Sequence, residues 1–198
     1  MGFKSVSQNI CNDSIEVNGN KLFCKTERNN TGKIVKQYFT KKDSALFLVE
    51  TLFNNQRNGS TIIFYSNSKI MSVQNFDNGI TSGSFIKFYS TGILKESGTF
   101  LPHSGPKSQI YLDTIRVENV DETGNIIGFF EYEEFNSPKS GVWQYFYETG
   151  GIREQGVYLN NKRAGEWKFY NNEGKTLGTA IFLEGKVQSK TGQYYLMK

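Results

Sequence analysis

The fold is decided by residues 141–186, GVWQYFYETGGIREQGVYLNNKRAGEWKFYNNEGKTLGTAIFLEGK. This stretch contains two copies of one sequence repeat, offset by 24 residues. The matched positions are Trp143 and Trp167, Tyr145 and Phe169, Phe146 and Tyr170, Gly150 and Gly174, Tyr158 and Phe182, and Lys162 and Lys186. Self-similarity at a fixed period of roughly 20–50 residues is typical of repeat architectures. We therefore expect a stack of repeated supersecondary units.

Weaker copies of the unit extend toward the N-terminus. The stretch STIIFYSNSKIMSVQNF at 60–76 is followed 24 residues later by SFIKFYSTGILKESGTF at 84–100. A further unit is expected around 122–126, because its Gly124 lies 32 residues after Gly92 and 26 before Gly150. These offsets exceed 24 by 8 and by 2, which implies insertions, and the larger one fits the loop 101–108. We divide the chain into an N-terminal β capping region at 1–45, hairpin repeats at 46–191, and a C-terminal capping strand at 192–198.

The composition favours an all-β protein. Aromatic residues make up 15% of the chain, and 20 glycines accompany only 3 prolines. Aromatic side chains favour strands, and glycine supplies tight turns. The net charge of +4 is too small for a dedicated nucleic-acid binder. No apolar run is long enough to span a membrane, and the N-terminus has no signal-peptide pattern. The expected location is cytoplasmic, with the periplasm or cell surface after leader removal as the alternative.

Each unit consists of two short strands around a turn that ends in glycine. Side chains alternate between the faces of a strand, so residues two and eight after the turn glycine are expected on one face. These pairs are Ile70 and Phe76, Leu94 and Phe100, Ile126 and Tyr132, and Ile152 and Tyr158. The position six after the turn is small in three units, as Gly98, Gly156 and Ala180. We expect a ring from the neighbouring strand, such as that of Trp143 or Trp167, to fill this place.

A single hairpin cannot bury its apolar face alone, whereas stacked hairpins can. The sequence therefore predicts an elongated, curved antiparallel meander of roughly 12–14 strands, built from β-hairpin repeats of about 24 residues. A closed barrel is the alternative, because closure removes edge strands.

The N-terminal region predicts a hairpin around Asn18-Gly19, a strong two-residue turn signal. That turn would place Ile15 opposite Leu22 and Asp13 opposite Cys24, leaving Cys11 about two positions out of register. Two buried thiols and a disulfide between the two cysteines both remain open. Residues 21–42 carry seven basic side chains against Glu27 alone, which is typical of a solvated edge.

The pattern G-x-W-x-(Y/F)-(F/Y)-x-x-x-G, followed by an aliphatic residue, G-x-(Y/F) and N-x-K or G-K, resembles the MORN-type repeat. It is similar in particular to the bacterial variant of antitoxin-like proteins. The residues that carry it are Gly141-Val142-Trp143, Gly165-Glu166-Trp167, Phe146-Tyr147, Phe169-Tyr170, Gly150, Gly174, Gly156-Val157-Tyr158 and Asn161-Lys162. With the weaker copies it covers about two-thirds of the chain, excluding 1–45. The resemblance implies hairpin repeats in an extended sheet, and binding rather than catalysis.

The sequence offers little for catalysis. Its one histidine, His103, lies in a Pro/Gly-rich loop, where a histidine is most often solvated. No Cys/His cluster has zinc spacing, no glycine-rich loop precedes a helix, and there is no nucleophile elbow. We expect no enzyme activity and no cofactor or metal.

Two features are candidates for partner binding. Residues 113–134 hold seven acids and one base, a charge of −6 in a chain of +4, so the remainder carries +10. The acidic candidates are Glu118, Asp121, Glu131, Glu133 and Glu134, either a solvated strand face or a patch for a basic partner. The aromatic candidates are Trp143, Tyr145 and Trp167, which either pack the sheet or form an exposed binding surface.

Three functions are compatible with these features. The first is a protein-binding module, an immunity or antitoxin-like protein that neutralises a toxin with a basic surface. The second is a membrane-peripheral or structural scaffold that contacts lipid through residues 21–42. The third is a carbohydrate-binding surface protein that uses exposed Trp143 and Trp167.

Overall fold

The computed structural model describes residues 9–17, 20–28, 32–40, 45–102, 111–121, 123 and 125–193, with side chains at 24–28, 32–39, 45–102, 112, 121, 123, 125 and 136–193. These residues form fifteen β-strands. The strands are β1 (Asn9–Val17), β2 (Asn20–Arg28), β3 (Ile34–Thr40), β4 (Leu46–Phe53), β5 (Gln56–Phe64), β6 (Ile70–Asp77), β7 (Ile80–Phe88), β8 (Leu94–Phe100), β9 (Tyr111–Val120), β10 (Ile126–Asn136), β11 (Lys139–Phe146), β12 (Ile152–Leu159), β13 (Lys162–Tyr170), β14 (Thr176–Leu183) and β15 (Lys186–Gly192).

The strands make one sheet in which neighbours in sequence are neighbours in space. The order runs from β1 to β8, continues directly to β11, and ends at β15, with each of these pairs antiparallel. Within the described strands, β1 and β15 are the ends of this path and do not pair with each other. The prediction of an all-β antiparallel meander built from hairpins is confirmed, and the sheet is open. Region 1–45 continues the sheet, because β3 pairs with β4.

One edge of the meander carries two-residue turns in which both residues have positive φ. These turns are Asn54-Asn55, Asn78-Gly79, Asn160-Asn161 and Glu184-Gly185. Asparagine and glycine tolerate this left-handed region, and turns of this kind match the twist of the strands they join. The first two of these turns are 24 residues apart, and so are the last two, which matches the repeat period.

The other edge carries longer turns that are linked from one repeat to the next. The hydroxyls of Tyr65, Tyr89 and Tyr147 each donate a 2.7 Å hydrogen bond to a backbone carbonyl of the following repeat. The acceptors are the carbonyls of Phe88, Phe146 and Tyr170. This tyrosine ladder ties neighbouring hairpins together along the edge, in addition to the backbone hydrogen bonds of the sheet.

The acidic stretch is an insertion into the meander. β8 pairs directly with β11, through Lys139 opposite Phe100, so 101–138 takes the place of a two-residue turn. Within it β9 and β10 form a hairpin that touches the sheet through two parallel pairs, Phe135 with Ile80 and Asn136 with Thr81. The prediction that 122–126 is the turn of a repeat within the meander is therefore wrong. His103 lies outside the described residues.

The prediction that residues two and eight after the turn glycine share a face is also wrong. A one-residue bulge follows the long turns that precede β6, β8, β12 and β14, as where Phe64 pairs with Ile70 but Ile63 pairs with Ser72. The extra residue changes the alternation, so Ile70 is 38% exposed while Phe76 is 4% exposed. A bulge shifts every later side chain to the other face, which period-2 counting cannot anticipate.

A second irregularity confirms the ring-over-glycine prediction. Three residues of β11, the last of them Trp143, lie opposite the single residue Gly98 of β8. In the same way, three residues of β13, the last of them Trp167, lie opposite the single residue Gly156 of β12. A Cβ built on Gly98 would lie 2.1 Å from the Trp143 ring, and one on Gly156 would lie 2.3 Å from the Trp167 ring. Each glycine therefore leaves the space that the neighbouring indole occupies. We call this side of the sheet the aromatic face.

The same row of positions is polar in the N-terminal half. Glu50, Thr61 and Gln74 stand side by side on β4, β5 and β6, and all three are buried. Glu50 accepts hydrogen bonds from the Tyr38 hydroxyl at 2.7 Å and from Arg57 Nε at 2.9 Å. A buried carboxylate requires such partners, so this network replaces the tryptophan packing of the later repeats.

The N-terminal hairpin forms with the predicted pair Ile15–Leu22, but its register then shifts. Cys24 lies opposite Cys11 and not opposite Asp13, because three residues of β1 oppose Phe23 alone. The predicted turn Asn18-Gly19 and most of the predicted capping strand at 192–198 lie outside the described residues.

Gly156→Ala tests the packing. The new methyl group would overlap the Trp167 ring, and we expect the unfolding free energy to fall by about 2–4 kcal/mol. Gly151→Ala is the control, because its Cβ would meet only the Asn172 carbonyl oxygen at 3.5 Å and should change stability by less than about 0.5 kcal/mol. Denaturant unfolding followed by tryptophan fluorescence measures both. Equal effects of the two substitutions would contradict the packing model.

Candidate functional site

The aromatic face is centred on Trp143 and Trp167, which are both 0% exposed. The Trp143 indole N–H donates to the Thr99 carbonyl at 3.2 Å, and the Trp167 N–H donates to the Val157 carbonyl at 3.1 Å. Each acceptor directly follows the glycine beneath the ring. The hydrogen bond fixes the orientation of the indole and satisfies its only polar group.

A cation covers the outer side of each indole. The Lys139 ammonium nitrogen lies 4.0 Å from the Trp143 ring centroid, and the Arg163 guanidinium carbon lies 4.0 Å from that of Trp167. Each cation also forms an ion pair with a glutamate on the preceding strand of the sheet. Arg163 Nη2 lies 2.8 Å from Glu154 Oε2, and Lys139 Nζ lies 4.0 Å from Glu96 Oε2. Glycine, indole and cation thus form three layers on one side of the sheet. The indole packs against the glycine and makes a cation–π interaction with the lysine or arginine above it.

This arrangement decides between the two interpretations of the tryptophans. Both rings are enclosed between glycine backbone and a cation, and aromatic neighbours at 5.0–6.4 Å surround them. Trp143 and Trp167 therefore pack the sheet, and the expectation that they contact a partner directly is corrected. They support a surface without forming it.

Tyr145 lies between the two layered groups and is half-buried. Its hydroxyl receives a hydrogen bond from Lys139 Nζ at 3.2 Å and lies 3.3 Å from the Tyr158 hydroxyl. Burial, and next the hydrogen bond with Tyr158, raise the pKa of Tyr145 well above its usual 10. The phenol is thus kept neutral, and its polar contacts link β11 to β12 within one hairpin.

The acidic candidates lie on the inserted hairpin. Its register pairs Glu118 with Phe129, Glu131 with Arg116 and Glu133 with Thr114. Directly opposed residues share a face of the hairpin, as does every second residue along a strand. Glu118, Glu131 and Glu133 therefore occupy positions on one face. Glu134 lies on the opposite face and pairs with Asp113, another acid. The five predicted residues are therefore divided between the two faces and the hairpin turn.

Asp121 has a structural role in that turn. Its Oδ1 accepts hydrogen bonds from the Thr123 hydroxyl at 2.7 Å and from the backbone N–H groups of Thr123 and Asn125 at 2.9 Å. The Thr123 hydroxyl, followed by the Asn125 backbone N–H, lowers the pKa of Asp121 to about 2. The carboxylate therefore remains charged and closes the turn.

An apolar surface that the sequence did not predict lies on the side of the sheet opposite the aromatic face. Val142, Leu159 and Leu183 are 62%, 58% and 64% exposed, and Ile181 is 40% exposed. Each directly neighbours a residue of the aromatic core, so strand alternation places it on the other face. We call these four residues the C-terminal patch. Leu159 and Leu183 recur 24 residues apart before the two-residue turns, which is a signal that could have identified them.

Lysines border the C-terminal patch. Lys162 is the cross-strand partner of Leu159, and Lys186 is that of Leu183, and both lysines are exposed. The patch also lies beside the root of the acidic hairpin. The Asn161 N–H donates to the Lys139 carbonyl at 3.0 Å, and the Lys139 N–H donates to Asn161 Oδ1 at 2.6 Å, where the chain returns from the insertion. The exposed leucines, the two lysines and the point where the chain returns from the insertion thus lie at one edge of the sheet.

The described residues contain no group of three histidine, cysteine, aspartate or glutamate side chains placed to hold a metal ion. Over the same ranges, the chain forms no helix of sufficient length and apolarity to cross a membrane. A comparison with known protein families finds no matching family model, and a comparison with curated proteins finds no significant match.

The raised pKa of Tyr145 predicts a pH dependence of stability. Above about pH 10 the unfolded chain ionises this phenol while the folded chain keeps it neutral, so the unfolded state binds fewer protons and stability falls. One such group contributes at most about 1.4 kcal/mol per pH unit. Urea unfolding between about pH 8 and pH 11 should show a smaller decline for Tyr145→Phe than for the parent chain. Identical declines would show that Tyr145 ionises equally in both states.

Proposed function

We propose that this chain is a non-catalytic protein-binding module, an immunity or antitoxin-like protein that binds a toxin and neutralises it. The observation that carries the proposal is the C-terminal patch, where Val142, Leu159 and Leu183 are more than half exposed on the side of the sheet opposite the fully buried Trp143 and Trp167. Clustered exposed apolar side chains on a folded surface are typical of interaction sites.

The sheet beneath the patch favours tight binding. On the aromatic face, the buried rings of Trp143 and Trp167 pack against the sheet and order its strands. The two-residue turns fix the ends of β12 and β14. A surface that is already ordered loses little conformational entropy on association. Leu159 and Leu183 therefore present apolar contact area at fixed positions, with Lys162 and Lys186 positioned to select acidic groups at the rim of the partner.

The acidic hairpin supports a partner that also carries basic groups. Residues 113–134 carry −6, whereas the remainder of the chain carries +10. Complementary charge increases the association rate and excludes wrong partners, more than it increases affinity. We assign this steering role to the face of the hairpin that holds Glu118, Glu131 and Glu133.

A membrane-peripheral or scaffold function is the second candidate, favoured by the exposed leucines that pair with lysines across the turns. Apolar side chains beside lysines also suit an anionic lipid surface, and residues 21–42 add further positive charge. Carbohydrate binding through Trp143 and Trp167 has no such support, because glycan stacking requires an accessible ring face.

Leu159→Asp/Leu183→Asp tests the patch. The two charges should reduce capture of a stoichiometric partner from a native-host lysate at least about 100-fold, because they remove apolar contacts at the centre of the interface. Ile70→Asp is the matched control, since Ile70 is also exposed in a strand but lies in an earlier repeat. The captured protein is then expressed alone and with each variant, and only the parent and Ile70→Asp should relieve its toxicity.

Two results would reject this reading of the patch. A captured protein that binds the parent and the double variant equally would exclude the patch as its contact surface. Binding to anionic vesicles that is lost in the double variant, with no stoichiometric protein captured, would favour the membrane-peripheral function.

Glu131→Lys/Glu133→Lys tests the hairpin. The double reversal should slow association with the captured partner by about tenfold at low salt, and by less at high salt, while dissociation changes little. Glu134→Lys, on the opposite face, is the control and should have a smaller effect per charge. Surface plasmon resonance measures both rates, and equal effects per charge would reject the assignment to one face.

A further inference from the structure

The only two cysteines of the chain are cross-strand neighbours in the N-terminal hairpin. Cys11 of β1 lies directly opposite Cys24 of β2. Directly opposed residues of an antiparallel pair have Cα atoms about 4.5–5.5 Å apart, in either type of pair. Disulfides span Cα separations of about 4.4–6.8 Å. The backbone register therefore brings the two residues within bridging distance.

This register results from a specific irregularity. Between the pairs Cys11–Cys24 and Ile15–Leu22, three residues of β1 oppose one residue of β2. With regular pairing, Asp13 would take the place of Cys11, and the two cysteines would be too far out of register to bridge. The same three-against-one arrangement recurs where Trp143 and Trp167 meet their glycines. The juxtaposition of the cysteines is thus produced by a structural element of the fold.

Cys24 lies inside the structure. It is 2% exposed, it belongs to a cluster with Tyr38, and its Sγ is 3.7 Å from the Lys25 carbonyl oxygen and from Thr26 Oγ1. The structure contains it as a thiol. Cys24 therefore has a fixed place in the hairpin, which holds its backbone opposite that of Cys11.

We propose that Cys11 and Cys24 form an intramolecular disulfide by exchange with a small disulfide oxidant such as oxidised glutathione. One protein thiolate attacks the glutathione disulfide, forms a mixed disulfide and releases one glutathione thiolate. The second protein thiolate then attacks the protein sulfur of the mixed disulfide and releases the other glutathione thiolate. The two protein protons end on the two glutathiones, so the chain loses two hydrogens and the oxidant is reduced.

The bond would stabilise one edge of the meander. β1 pairs with β2 alone, so its described backbone has one hydrogen-bonded neighbour, whereas β2 has two. Edge elements of this kind open before the rest of a fold. Closing the loop between residues 11 and 24 restricts the open state of this hairpin, and the chain would keep the hairpin intact under oxidising conditions.

The test uses the full-length chain, first reduced and then incubated under native conditions with oxidised glutathione at about pH 8, where a thiol near its usual pKa is partly ionised. After denaturation and maleimide alkylation, the parent should be a monomer with no maleimide and no glutathione. Its mass should be lower by two hydrogens, and a cross-linked peptide should contain residues 11 and 24. Limited proteolysis within 9–28 should slow by about tenfold relative to the reduced chain.

Cys11→Ser and Cys24→Ser are the matched controls, and Cys11→Ser leaves the buried residue in place if the other variant folds poorly. Each should keep one thiol or one glutathione adduct, with no change in proteolysis on oxidation. Two maleimides, two glutathione adducts or an intermolecular dimer in the folded parent would overturn the proposal. So would a disulfide that forms only when the oxidation is carried out in denaturant.

Discussion

The contact between an indole ring and a glycine of the neighbouring strand is the interaction on which the C-terminal half depends. A single sheet has no second layer to cover its side chains, yet Trp143 and Trp167 are completely buried. The missing side chains of Gly98 and Gly156 allow each ring to lie against the sheet itself. A tryptophan buries about 150–250 Å² in this way, so two rings and their cations supply much of the core that a second layer would provide.

The two halves of the sheet solve the same packing problem by different chemistry. In the C-terminal half the central row of the aromatic face is occupied by glycine, alanine and tryptophan. In the N-terminal half the equivalent row includes Thr61 and Glu50, and the Glu50 carboxylate accepts hydrogen bonds from Tyr38 and Arg57. Thr61 Oγ1 is buried without a hydrogen-bond partner among the described atoms, which is a cost that the apolar row does not carry. The patch that we assign to binding lies on the half with the apolar row.

The sequence determined the period, the strand order within each hairpin and the pairing of tryptophan with glycine, because these follow from recurring residues and from the size of side chains. It did not reveal the bulges, so Ile70 and Phe76 were assigned to one face although they lie on opposite faces. Counting offsets also could not distinguish a repeat from an inserted hairpin, since both contain strands around a polar turn. The tryptophans were predicted as binding residues because tryptophan is frequent in interfaces. Leu159 and Leu183 are of a common residue type, and their exposure is evident only when the two faces of the sheet are known.

The direct pairing of β8 with β11 has a consequence for the order in which the chain folds. Neighbouring strands elsewhere along the meander are separated by short turns, so each new strand can add to the previous one at a small cost in chain entropy. At this junction the chain must close a loop that spans residues 101–138 before Lys139 can meet Phe100. Closure of a long loop is slower and entropically less favourable than closure of a tight turn. We therefore expect two nucleation zones, one on each side of the insertion, whose docking completes the fold, with the Tyr89 hydroxyl bond to the Phe146 carbonyl forming late.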